Sequence, residues 1–173
     1  MPAPGAGKVS GKMANPRDLL LQQLSELLWI ERKLFFEIIP AVHDGAHAPD
    51  LQQALTAHRE ETRVHCVRVE EAIRSVGAEP AAAASPPLDK LKEVHEEHAQ
   101  QITHRVLRDV FHCAGVVRTE HYELACYDPA IGLARELGHK ECAGLLEQNR
   151  KEDAKALEQI EKLATRLRDD LPR

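Results

Sequence analysis

Leu20, Leu24, Leu27, Leu34 and Ile38 recur at steps of three and four, the spacing that lines one face of an α-helix. Three further stretches repeat the pattern: Leu51, Leu55, Val69, Ala72 and Val76 in the second, and the series through 106–131 and 146–167 in the third and fourth. No stretch alternates as a strand would. Long amphipathic helices bury their stripes against one another, so an all-α fold is expected. Asn15 then Pro16 supplies an N-cap followed by Pro at the first helical position. Gly45 and Pro49 mark the first turn, and Gly138 the stop of the third helix. Pro40 and Pro129 should bend their helices rather than end them.

Between the second and third helices lie AEPAAAASPP and the polar helical segment LDKLKEVHEEHAQQ. Two helical hairpins joined by a crossover of this length, with a short extra helix inside it, is the ferritin-like four-helix bundle. The bundle should span residues 15–168, with 1–14 a disordered leader and 169–173 a tail.

The stripes are interrupted by polar residues. Glu31 falls between Leu27 and Leu34. On the second helix His58 and His65 take inner positions, with Glu61 on the shoulder. Glu120 lies on the third stripe with Glu123 three residues on, and Asp153 on the fourth with Glu152 beside it. Glu31, Glu61, Glu123 and Glu152 each lie about 15 residues from their hairpin turn, roughly 20–25 Å at helical rise. Carboxylates from four helices therefore meet at one level. The stripes place no obvious opposite charge beside them, and buried carboxylates either protonate or bind a cation. Oxygen and nitrogen ligands point to two divalent ions, Fe or Mn.

Other features narrow the function. The net charge of −5 and the dispersed basic residues argue against nucleic-acid binding. No apolar run is long enough to span a membrane, and MPAPGAGKVSGKM has no apolar segment of the secretory kind, so a cytoplasmic protein is expected. Cys66, Cys113, Cys126 and Cys142 form no C-x-x-C and suit buried thiols in a reducing compartment. A thiol sensor would have to use Cys66, beside His65. His43 and His47 flank the first turn, and His95 and His98 on the polar connecting helix are expected to be exposed.

LLWIERKL, AHREETRVH, VRTEHYELACY and LARELGHKECAGLLEQNRKEDAKALEQIEKLA resemble the YciE/YciF family of bacterial ferritin-like stress proteins, over about residues 17–164. The resemblance implies a dimer with a dinuclear metal centre, and it marks Glu31, Glu61, Glu120, Glu123 and Glu152 as the residues of its chemistry. His65 stands four residues after Glu61, where the ferritin-like E-x-x-H spacing is three. The expected fourth-helix histidine is missing: Lys155 and Ala156 stand there. Arg150 and Lys151 occupy places where the family tends to be acidic.

The combined expectation is two Fe or Mn ions bridged by Glu61 and Glu152, with Glu31, Glu120 or Glu123 and His65 as terminal ligands and Asp153 in reserve. Such a centre would consume oxygen or peroxide, or oxidise ferrous iron. Tyr122 or Tyr127 is a candidate neighbouring group. The rival is a non-catalytic helical dimerisation module whose metal is structural or absent. Trp29, Phe35 and Phe36 are expected to contribute apolar surface for the dimer. Crowded carboxylates repel one another, so Glu120→Gln is expected to be neutral or stabilising without metal.

Overall fold

A computed structural model of the chain describes residues 13–171; most of the expected leader lies outside them. Helix α1 (Pro16–Lys33) passes through a π-helical turn (Leu34–Ile38) into the short α2 (Ile39–Gly45). Then follow α3 (Pro49–Ser75), the crossover helix α4 (Pro86–Gln101), α5 (Arg105–Glu136) and α6 (Lys140–Asp169). The described residues contain no strand. None of their helices is long and apolar enough to cross a membrane.

Local chemistry sets the ends. The Asn15 side chain accepts from the Asp18 N–H at 3.0 Å, capping α1. Gly77 and Gly138 adopt φ of 75° and 78°, and each closes its helix with the paired 5→2 and 6→1 bonds of a Schellman motif. At Pro40 the helical path continues, as expected, but the accommodation lies one turn earlier. The Ile39 N–H reaches back to the Leu34 carbonyl, which leaves the Phe35 carbonyl free. Arg59 on α3 donates its Nε–H to that oxygen at 3.1 Å. Pro40 has no N–H and its ring crowds the Phe36 carbonyl, so a widened turn is the local solution. Helix α5 runs through Pro129 without a break.

The helices pack as a ring: α1 against α3, α3 against α6, α6 against α5, and α5 against α1. Two apolar clusters fill it. One joins the start of α1 and the end of α3 to the α5–α6 turn, through Leu20, Leu24, Ile73, Ala134 and Leu146. The other joins the α1–α3 hairpin to the start of α5 and the end of α6, through Ile30, Leu34, Leu51, Leu55, Cys113 and Leu163. The two hairpin turns therefore sit at opposite ends, and the crossover runs the length of the bundle. Trp29 is 8% exposed and belongs to the first cluster. It does not add to any outer apolar surface, contrary to expectation; Phe35 and Phe36 remain half-buried.

Leu24 and Leu146 are fully buried in this cluster, whereas Leu19 is 42% exposed. Leu24→Ala and Leu146→Ala should each cost about 2–5 kcal/mol in urea unfolding, since each leaves a cavity. Leu19→Ala should stay within about 0.5 kcal/mol of the parent.

Candidate metal centre

Between the two apolar clusters lies a polar layer. Glu31 from α1, Thr62 and His65 from α3, Glu120 and Glu123 from α5, and Asn149 and Asp153 from α6 are all at most 1% exposed. His58 from α3 is 7% exposed. Steps of three, four and seven put each set on its helix's inner stripe, at the level where leucines would otherwise stand.

Six of these residues form two triads. Glu31, His65 and Asp153 bring one ligand atom each within 4.8 Å of one another, and so do His58, Glu120 and Glu123. Each triad thus offers two carboxylates and one imidazole. Both imidazoles come from α3, two helical turns apart. This answers the missing histidine of α6: the second nitrogen is supplied by His58. His58 stood on the predicted inner face, yet the E-x-x-H comparison drew attention to Glu61 and His65 instead. The spacing of seven between two stripe histidines was the available signal.

The remaining predicted ligands lie at the edge of the layer. Glu61 has its side chain 45% exposed, 3.8 Å from His58 Nδ1. Glu152 is 36% exposed and sits 2.9 Å from His65 Nε2. Asp153, one residue further along α6, takes the buried place. Neither Glu61 nor Glu152 is in a triad.

Opposite charge is present after all. Arg68 donates to Glu152 at 2.7 Å and to Asn149 Oδ1 at 3.1 Å. Seven residues after Glu61, it shares that residue's face of α3. Asn149 donates to the His65 carbonyl at 3.2 Å and to the Tyr127 hydroxyl at 3.0 Å. Tyr127 in turn donates to Glu31 Oε1. One connected network therefore holds both Glu31 and His65. Tyr122 belongs elsewhere, hydrogen-bonded to Ser85 at 2.7 Å and Glu26 at 3.2 Å.

The electrostatics follow from burial. Burial alone would lower both histidines. The Glu120 carboxylate, 2.9 Å from His58 Nε2, instead raises His58 well above the usual imidazole range. Glu31, Asp153 and Glu152 raise His65 to about 9. Burial and neighbouring carboxylates push Glu123 and Asp153 far up, so both are held protonated. Partial burial opposes ionisation of Glu152, but Arg68 and His65 outweigh it and keep its pKa low. Burial raises the thiols of Cys113, Cys126 and Cys142 to about 11, and that of Cys66 further, so none is held as a thiolate at neutral pH. That removes support for a thiol sensor.

Fold and site together define an all-α, ferritin-like bundle with an inward carboxylate and histidine layer. The chain belongs to the family described as "Domain of unknown function (DUF892)", whose model matches residues 15–170. Protein YciF of Escherichia coli K12 is 25% identical over 142 residues, 82% of this chain and 85% of that protein. This bears out the YciE/YciF resemblance. Among solved structures, YcfI of Rhodopseudomonas palustris superposes with a TM-score of 0.85 at 30% identity, covering 88% of this chain and 96% of that one. The E. coli stress protein YciF gives 0.86 at 24% identity, over 92% and 100%. A Xanthomonas campestris protein gives 0.69 at 20%, over 91% and 100%. The last two establish the fold.

The geometry revises the expected behaviour of Glu120. It is paired with His58, whereas Glu123 Oε2 has no hydrogen-bond partner. Without metal, Glu123→Gln should therefore be neutral or stabilising. Glu120→Gln should lose about 3 kcal/mol, because it strands a buried imidazolium. Denaturant unfolding of the two variants separates them.

The pH dependence has a definite sign. His65 rises from 6.5 to about 9 on folding. Its contribution is complete below the lower value and is lost as pH climbs to the upper one. A shift of that size corresponds to about 3 kcal/mol. Glu123 and Asp153 act in the same direction, since the fold keeps protons that the unfolded chain releases. Metal-free protein should accordingly be less stable at pH 9 than at pH 6.5, with a flatter profile in His65→Gln. A wild-type profile that rises over this interval would contradict the assignment.

Proposed function

We propose that the chain holds two divalent ions, iron or manganese, one in each triad, and acts as a stress-related redox protein. The observation that carries this reading is a set of orphaned atoms. Seven buried ligand-type atoms of the triads lack a hydrogen-bond partner: Glu31 Oε2, His58 Nδ1, His65 Nδ1, Glu120 Oε2, Glu123 Oε2 and both oxygens of Asp153. Buried polar atoms are normally satisfied, and a cluster of exceptions calls for an occupant. The charge also fits: four carboxylates balance two divalent cations when both imidazoles are neutral. An all-oxygen and nitrogen donor set suits iron or manganese better than thiolate-seeking metals.

When bound, a redox-active pair would exchange electrons with oxygen, peroxide or ferrous iron. The chain's own part is to position and to hold protons. Tyr127 and Asn149 fix the carboxylate plane of Glu31, and Arg68 with Glu152 orients the His65 ring. Binding must displace protons from His58, His65, Glu123 and Asp153, so affinity should rise with pH even as the metal-free fold weakens. A cavity of about 30 Å³ between Leu55, His58, Glu61, Val116 and Ile160 borders His58 of the second triad. It has room for a species the size of water or dioxygen, and Glu61 lies on its wall.

A second reading has its own support. The pairs His58–Glu120 and His65–Glu152, with Arg68, supply internal counter-charges. A helical module with structural metal, or none, could rest on them, and the description of YcfI suggests a structural role for that protein. Anaerobic titration separates the readings. The redox reading expects two saturable equivalents of Fe(II) or Mn(II) per chain, with Glu123→Ala and Asp153→Ala each removing one. It also expects turnover of peroxide or oxygen by the loaded protein. Saturable binding without turnover would favour the structural reading, and no binding would remove both metal proposals.

A cytoplasmic homodimer completes the proposal. Its support is the family resemblance and the half-buried Phe35 and Phe36. Light scattering at micromolar concentration should give twice the chain mass of 19.3 kDa; a monomer mass would reject it.

A further inference from the structure

The two triads are alike in their donors and unlike in what stands outside them. Five of their six members are at most 1% exposed; His58, at 7%, has the most surface. Each histidine also has a partly exposed carboxylate on its outer side, Glu152 beside His65 and Glu61 beside His58. These two carboxylates are held differently.

Glu152 is already engaged. It accepts from Arg68 at 2.7 Å and lies 2.9 Å from His65 Nε2. Arg68 is also tied to Asn149, and Asn149 to the His65 carbonyl. A fixed guanidinium therefore stands at the outer side of the first triad. It repels an arriving dication, and it occupies the carboxylate that would attract one.

Glu61 is open. Among the described residues no lysine or arginine lies within ion-pair distance of it, and its nearest positive partner, His58 Nδ1, is 3.8 Å away, too far for a hydrogen bond. That nitrogen is buried and has no hydrogen-bond partner. The other ring nitrogen, Nε2, faces inward, 2.9 Å from Glu120. His58 thus stands between an exposed carboxylate and a buried one, with one nitrogen toward each. The arrangement is built into α3, where positions 58 and 61 share a face. Both side chains also line the cavity of about 30 Å³, whose other walls include Ala54, Ala57 and Ala156.

Resting on the reading of the triads as metal sites, we infer that Glu61 is an entry carboxylate: it captures a divalent cation from solvent and passes it by way of His58 to the second triad, without staying on as a ligand. The second triad is then the fast-exchanging site. The first, shut behind the Arg68–Glu152 pair, fills slowly. A charge placed at the mouth of a site raises the local concentration of its counter-ion and speeds association about tenfold or more. Because it eases departure as much as arrival, it leaves affinity nearly unchanged.

Anaerobic stopped-flow mixing of the full chain with Co(II), whose absorption reports oxygen and nitrogen ligation, provides the test. The wild type should show two phases of one equivalent each. Glu123→Ala should remove the fast phase and Asp153→Ala the slow one; if the alanine variants do not fold, Glu123→Gln identifies the fast phase. Glu61→Gln should slow that phase about tenfold, slow release into a chelator by the same factor, and still bind two equivalents. Arg68→Met should speed the slow phase and leave the fast one alone. A single phase for both equivalents, a fast phase unmoved in Glu61→Gln, or a fast phase lost with Asp153 would each overturn the inference. So would loss of one equivalent in Glu61→Gln, which would make Glu61 a resident ligand. Those results leave the metal sites standing; the absence of any saturable Co(II) binding in the wild type would remove the sites and the inference together.

Discussion

Four carboxyl groups stand where a helix bundle would normally place leucine, and the rest of the architecture answers that fact. Removing a carboxylate from water without a partner costs several kcal/mol. Glu31, Glu120, Glu123 and Asp153 are each 1% exposed or less. The metal-free chain meets the cost in three ways: it makes imidazolium ions of His58 and His65, it keeps Glu123 and Asp153 protonated, and it ties Glu31 to Tyr127. Even so, a group of ligand atoms stays unsatisfied. A pair of divalent cations would replace the three devices at once.

The layer is tolerable because of what lies above and below it. With the hairpin turns at opposite ends, each apolar cluster joins all four long helices. The polar level is clamped between two well-packed cores. The ends of the bundle thereby supply apolar burial that offsets the cost of the polar layer between them. The π-helical turn begins three residues after Glu31, and Arg59 of α3 answers its free carbonyl. That stitch joins the two helices of the first hairpin just beyond the layer.

Much of this was legible in the sequence, for definite reasons. The helices were, because four stripes of step three and four leave no other period, and Asn15, Gly77 and Gly138 are residues whose chemistry marks an end. Glu31, His65, Glu120 and Asp153 were, because each falls in phase with leucines of its own helix. The ring phase of α6 was harder: Glu152 and Asp153 are adjacent, and family comparison marked the first while burial selects the second. Arg68 escaped because its face matters only once α6 is docked and brings Glu152 and Asn149 to it. His95 reads as a surface residue because α4 is polar by composition. Its half-buried place depends on Gly115 leaving room on α5. These misses all concern contacts between elements, which spacing within one helix cannot report.

The central claim is that the two triads are two metal sites. Anomalous diffraction from crystals grown with Mn(II) tests it most directly. Two peaks are expected inside the bundle, one bounded by Glu31, His65 and Asp153 and the other by His58, Glu120 and Glu123. Manganese found only at surface acids, with the triads holding no anomalous density at saturating metal, would contradict it.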